Sequence, residues 1–142
     1  MESAIEVHRS LGPGLLESVY EICLCKELDL RNIRYRRQSP VELNYKGEVV
    51  KMKLIIDLIV EDKIIAELKS VEKTIPVYSS QLLSHLRLTK KKLGLLINFN
   101  VPVLVEEFKK NNKLIINKFF NKLRDPDHIK LNTTLCDSVS LC

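Results

Sequence analysis

KMKLIIDLIVEDKIIAELKS, residues 51–70, decides the fold: two strongly apolar strands flank a short polar turn. The runs LIIDLIV and IIAEL contain few polar positions, as strands covered on both faces do. Charge interrupts them in a fixed order: Asp57, nine residues, Glu67, one residue, Lys69. Two carboxylates able to share a divalent cation, with an ammonium beside them, are what metal-assisted hydrolysis of a phosphodiester needs.

That chemistry places a demand on strand pairing. Side chains alternate along a strand, so Glu67 and Lys69 share a face. Asp57 joins them only if it lies opposite Glu67, which requires three linking residues, Glu61, Asp62 and Lys63, or a bulge. A two-residue Glu61-Asp62 turn would pair Asp57 with Ala66 and send the carboxylates to opposite faces. Catalysis therefore forbids the simple turn.

Outward from this hairpin, Arg34 to Tyr45 reads as a preceding strand, with Pro40 marking an edge or a bulge. The two central strands span Val49 to Val60 and Lys63 to Lys69. Residues 3–10 form a short helix ended by Leu11-Gly12-Pro13-Gly14, and a longer amphipathic helix runs from Leu15 to about Leu30, with Leu15, Val19, Ile22, Cys23 and Leu28 as its apolar stripe. After the hairpin, a helix from Val77 to Leu88 buries Leu82, Leu83 and Leu86, and Lys90 to Lys92 close it with charge suited to its negative end. LGLLINF, residues 93–99, is a further buried strand. Residues 103–123 fit helix or strand, and KLIINKFF a terminal strand or helix at the edge. The order α-β-β-β-α-β defines an α/β protein with a mixed central sheet flanked by helices. One domain over residues 1–123 is expected, with residues 124–142 as a loop or disordered tail.

At 142 residues and 45% hydrophobic content the chain suits one domain with a real core. No apolar run approaches the roughly 20 residues of a membrane span, and MESAIEVHRS carries charges where a signal peptide is apolar. A soluble, cytoplasmic protein is expected. The net charge of +5 and pI of about 9.0 favour a polyanionic partner. Basic clusters lie at Arg34, Arg36 and Arg37, at Lys90 to Lys92, and at Lys109, Lys110 and Lys113, although a solvated lysine-rich surface would look the same. A zinc or iron–sulfur site wants closely paired thiolates in loops, whereas Cys23 and Cys25 sit two apart in a helical pattern and point to different faces; with Cys136 and Cys142, free thiols in a reducing compartment are expected.

Gly14-Leu15-Leu16-Glu17-Ser18-Val19-Tyr20 carries a GxxExxY pattern, and AIEVHRSLGPGLLESVYE, VELNYKG, DLIVEDKIIAELKSVE, QLLSHLRLT and GLLINFNVP follow in order. Over roughly residues 3–118 the chain thereby resembles the GxxExxY family of the PD-(D/E)XK nuclease superfamily. The resemblance implies a restriction-endonuclease-like fold in which Asp57 and Glu67 ligate Mg²⁺ or Mn²⁺, the carbonyl of Leu68 adds a ligand, and Lys69 orients or deprotonates the attacking water. It also implies that Glu17 reaches the metal or its water shell, with Tyr20 on the same helix face. Gln81 and His85 correspond to a Q-x-x-x-Y element in which the glutamine contacts the active site or the phosphate backbone; here histidine stands where tyrosine is expected. Tyr20, Gln81, His85, Arg36, Arg37 and Lys91 are the expected contacts to nucleic acid. Tyr78 stands where a histidine is common, and Lys90 or Lys91 where a glycine follows the helix. His8 is expected at a helix surface or core edge, bonded to backbone.

The function expected is a divalent-metal-dependent nuclease acting on DNA, in repair, recombination or mobile-element defence, and compatible with a homodimer. The alternative is a catalytically silent module of the same fold that binds nucleic acid or protein. An RNA-directed nuclease, or a subunit that cuts only within an assembly, leaves no separate mark in sequence.

Overall fold

A computed structural model describes residues 1–106 and 114–116, with backbone alone at 51–53 and 114–116. Its elements are α1 (Glu2–Leu11), α2 (Glu17–Leu30), β1 (Tyr35–Tyr45), β2 (Glu48–Val60), β3 (Ile64–Lys69), α3 (Pro76–Thr89), β4 (Leu93–Asn98) and β5 (Leu114–Ile116). The five strands form one sheet in the order β1-β2-β3-β4-β5. β1, β2 and β3 pair antiparallel, β3 and β4 pair parallel through the α3 crossover, and β5 returns antiparallel to β4. The result is a mixed α/β sheet between helices, consistent with a restriction-endonuclease-like fold. Of the ambiguous residues 103–123, residues 114–116 are strand and residues 104–106 helical. Residues 107–113 and the expected tail at 124–142 lie outside the described residues.

Two cores sandwich the sheet. Ala4, Val7, Tyr20, Leu24 and Leu28 of the first two helices pack on Leu58, Ala66, Leu68, Leu95 and Ile97. Leu82 and Leu86 of α3 pack on Ile56, Ile59, Ile65 and Leu96 from the other side. β3 therefore alternates strictly: Ile65 faces α3, Ala66 faces α2, Glu67 faces α3 and Leu68 faces α2. Gly94 lets α3 settle closely on β4, because a Cβ there would come within 2.8 Å of a Leu82 methyl.

Of the stripe expected on α2, Leu28 is buried and Cys23 packs against the core, but the buried face is rotated away from the rest. Ile22 is exposed and Leu15 precedes the helix, while Tyr20, Glu21, Leu24, Cys25 and Leu28 face inward. Tyr20 anchors the face by stacking flat on Phe99, with ring centroids 4.5 Å apart. On α3, His85 joins Leu82 and Leu86 inside, and Leu83 is only partly buried.

The turn between β2 and β3 meets the demand through the three linking residues Glu61, Asp62 and Lys63. Lys63 N–H donates to Val60 O at 3.0 Å, and both Glu61 and Asp62 are left-handed, with φ of 50° and 53°, the conformation of a type I′ turn. Pairing nevertheless resumes at Val60↔Ile64, so Lys63 is an extra residue in the connection. Leu58, Ile59, Ile65 and Ala66 are buried here. Each fully buried large apolar side chain contributes about 1.5–3 kcal/mol, against roughly 0.5–1.5 kcal/mol for a hydrogen bond. Packing thus holds the register of a ladder only three pairs long.

Candidate active site

Asp57 occupies the point where that ladder stops. The pairs Leu58↔Ala66, Ile59↔Ile65 and Val60↔Ile64 define a register whose next step sets Asp57 opposite Glu67. Its carboxylate Oδ2 accepts the N–H of Leu68 at 2.9 Å, taking the place of a further ladder bond. On the other side of β2 the pairs Arg37↔Leu58 and Ser39↔Ile56 bracket Gln38, which is left-handed at φ 46°. The alternation of β2 breaks at the same level, since Leu58 belongs to the α1/α2 core and Ile56, two residues earlier, to the α3 core. A kink across both strands therefore parts β2 from β3 at the acidic residue.

Charge gathers around this kink. Burial pushes the Asp57 carboxyl up to about 6; the Leu68 N–H opposes that, the Glu67 carboxylate adds to it, the Lys69 ammonium opposes it and the Glu17 carboxylate adds to it. Glu67, Lys69 and Glu17 thus all lie near enough to Asp57 for their charges to act on its carboxyl. Lys69 is half-buried, with Nζ 5.5 Å from the centroid of the Tyr78 ring at the start of α3.

Glu67 is almost sealed, at 2% exposure, and its Oε1 lies 2.5 Å from Nδ1 of His85, itself 1% exposed. Among the described residues Oε2 carries no hydrogen bond, so one oxygen of Glu67 and Oδ1 of Asp57 are both left for another ligand. Gln81, one helical turn before His85, is exposed on α3. The Leu68 side chain is buried in the α1/α2 core while its N–H bonds to Asp57.

The Gly12–Leu15 loop delivers Glu17. Gly12 and Gly14 adopt φ of 69° and 97°, where a side chain would strain the backbone. The Tyr20 hydroxyl donates to Gly12 O at 2.6 Å and accepts from Leu15 N–H at 3.1 Å, so it clasps the loop from within. Ser70, directly after β3, donates its hydroxyl to Leu15 O at 2.6 Å. These bonds bring the N-terminus of α2, and with it Glu17, to the end of β3 that carries Lys69. Asn98 fastens the same end, accepting from Val71 N–H and donating to Val71 O. Sequence reasoning missed Asn98; a buried amide closing an apolar strand was its only signal.

The residues expected to touch nucleic acid divide by location. Tyr20 is fully buried and His85 nearly so, and neither ring presents a surface in this structure. Arg36 pairs with Asp62 at 2.6 Å, and Lys91 pairs with the same carboxylate at 3.0 Å. Both meet at the turn end of the β2–β3 hairpin, the end opposite Lys69. Arg37 pairs with buried Glu21, which also accepts from Gln38. Gln81 is accessible. Lys109, Lys110 and Lys113 lie outside the described residues. His8 sits buried with Nε2 2.8 Å from Val101 O. Cys23 and Cys25 are free thiols, and Cys136 and Cys142 lie outside the described residues.

Among the described residues, no group of three His, Cys, Asp or Glu side chains is arranged to hold an ion. The oxygens left open on Asp57 and Glu67 still suit a hard cation of the Mg²⁺ type, which takes one or two carboxylates and fills its remaining positions with water and phosphate oxygen. The site so built is a mixed sheet whose β2–β3 ladder ends at an Asp, with a Glu-x-Lys on the neighbouring strand. Residues 1–111 match the family model of the PD-(D/E)XK nuclease superfamily, and the chain belongs to that superfamily. No curated protein and no solved structure matches it. Members of the superfamily are generally metal-dependent nucleases, which implies a nucleic-acid substrate. Among the described residues no helix is long and apolar enough to cross a membrane.

Proposed function

We propose that the chain is a divalent-metal-dependent nuclease that hydrolyses DNA, of the GxxExxY type, with Asp57 and Glu67 holding Mg²⁺ or Mn²⁺. The observation that supports this reading is the Leu58↔Ala66 register, whose next step would bring Asp57 opposite Glu67, together with an oxygen on each that carries no hydrogen bond. A cation bound there supplies Lewis acidity to the phosphodiester and makes water a stronger nucleophile at neutral pH. Asp57 and Glu67 supply the anionic cradle, Leu68 a backbone carbonyl, and Glu17 a third carboxylate toward the cation's water shell. Lys69 presents Nζ to the attacking water and stabilises the hydroxide as it forms. Gln81, exposed on the helix that carries His85, is placed to bind a phosphate or orient the strand. The N-termini of α2 and α3 add partial positive charge at the same end of the sheet.

The test is cleavage by the purified chain. Circular single-stranded, linear duplex and branched DNA are expected to be cut in Mn²⁺ or Mg²⁺, with activity abolished by EDTA, by Asp57→Ala and by Lys69→Ala. Folded protein that cuts none of these substrates in either metal sinks the proposal. A catalytically silent module of the same fold is favoured by one observation, that among the described residues no group of three His, Cys, Asp or Glu side chains is arranged to hold an ion. Binding of Mn²⁺ that is lost in Asp57→Ala separates the enzyme from the module.

A further inference from the structure

We propose that His85 is a positioning residue for Glu67: its Nδ1–H holds Oε1 and thereby turns Oε2 toward the cation that Asp57 shares. The inference rests on the metal-dependent reading above and goes beyond it, since it takes His85 away from the nucleic acid and gives it a task inside the protein.

Three observations carry it. The pair is short and sealed, with 2.5 Å between Nδ1 and Oε1 and side-chain exposures of 1% and 2%. His85 Nε2 is the one sealed side-chain nitrogen or oxygen among the described residues that lacks a partner. With the proton on Nδ1, directed at the carboxylate, Nε2 is left as a bare lone pair; the opposite tautomer would orphan an N–H, the rarer outcome in buried sites. The third observation is placement. Glu67 is the residue that the register sets beside Asp57, and α3 holds His85 over it through Leu82 and Leu86, which flank it in sequence and pack against Gly94.

Stability gives no reason for such a pair. Apolar side chains of similar volume could fill this contact between α3 and β3, and replacing both partners of a buried hydrogen bond in that way is often nearly neutral or stabilising. A carboxylate that must ligate a metal does have a reason, because a second group hydrogen-bonded to it fixes which oxygen faces the ion.

Calorimetric titration of the full chain with Mn²⁺, well below its unfolding temperature, tests the proposal. His85→Leu removes the donor and is expected to weaken Mn²⁺ binding about tenfold or more. His85→Asn, which offers an N–H from nearly the same place, is expected to recover most of that loss. Ile59→Val thins the same core cluster and should lower the unfolding temperature while leaving Mn²⁺ affinity unchanged. If His85→Leu binds Mn²⁺ like the wild type while Asp57→Asn does not bind, His85 has no such role and the nuclease reading stands. If the folded wild type binds no Mn²⁺ at all, the nuclease reading falls and this inference with it. Should His85→Leu fail to fold, ¹⁵N spectra of the wild-type histidines decide: His85 Nδ1 is expected to carry the proton and to shift on Mg²⁺ addition while His8 does not. A His85 signal unmoved by bound Mg²⁺ overturns the proposal.

Discussion

Asp57 makes the folded chain pay for its ionised form. Its carboxyl titrates near 6 in the fold, raised chiefly by burial, against about 3.8 for a free carboxyl. Between these values the folded chain retains a proton that the unfolded chain releases, so stability falls as pH rises from about 4 to 6 and the penalty is complete above 6. Asp57→Asn keeps an oxygen for the Leu68 N–H and removes the charge. Thermal denaturation at pH 7 should show the variant more stable by about 1–2 kcal/mol, after allowance for the water that screens a half-exposed carboxylate. The gain should vanish near pH 4, and a variant no more stable at pH 7 would mean that the carboxylate is not strained. Tyr20 acts by a different force. Tyr20→Phe keeps the stack on Phe99 but leaves Gly12 O and Leu15 N–H without their shared partner. A loss of about 1–2 kcal/mol in urea denaturation is expected. An unchanged midpoint would show that water replaces the hydroxyl freely.

At the scale of elements, the sequence was most legible where periodicity and chemistry agreed. The two buried strands, the helix after Pro76 and the strand LGLLIN lie within a residue or two of where the apolar pattern put them. Pro40 marks a strand that is indeed at the sheet edge, with its register shifting between Val41 and Leu43. The face of α2 was legible only in part: Leu28 is buried and Cys23 packs against the core, as expected. Leu15 and Ile22 look like core residues, yet the helix starts at Glu17 and turns Tyr20, Leu24 and Leu28 inward, a choice made by Phe99 and the sheet rather than by the helix itself. The end of α3 shows a substitution that sequence flagged and structure explains. Lys90 stands in the left-handed conformation, φ 57°, that a glycine adopts after a helix, and Lys91 N–H reaches back to Leu86 O across it. Lys90→Gly should therefore stabilise the protein by about 1 kcal/mol, since left-handed backbone is costly for a residue with a Cβ. Chemical denaturation that shows a loss instead would place Lys90's side chain in an interaction worth more than the strain.

For the molecule as a whole, the sheet's mixed topology follows from the hairpin and the crossover, and the carboxylate pair was legible because alternation turns a question about chemistry into one about loop length. Sequence posed that question without answering it. Two left-handed residues and one surplus residue at the turn settle the register, and nothing in Glu61-Asp62-Lys63 announces left-handed backbone as Asn-Gly would. The pairing of His85 with Glu67 was equally hidden, because 18 positions separate them and only the crossover brings them together. The parting of β2 from β3 at Asp57 has a consequence for the chain's response to deuterium. Among the described residues, β2 from Glu48 to Asp57 has a strand neighbour on one flank alone, whereas Leu58 to Val60 have neighbours on both. Amide exchange along β2 should accordingly alternate, slow where an N–H points to β1 and fast where it points outward, until the rhythm ends in three consecutive slow amides just past the acidic residue. Uniform protection from one end of the strand to the other would mean that another backbone lies along that open flank in solution.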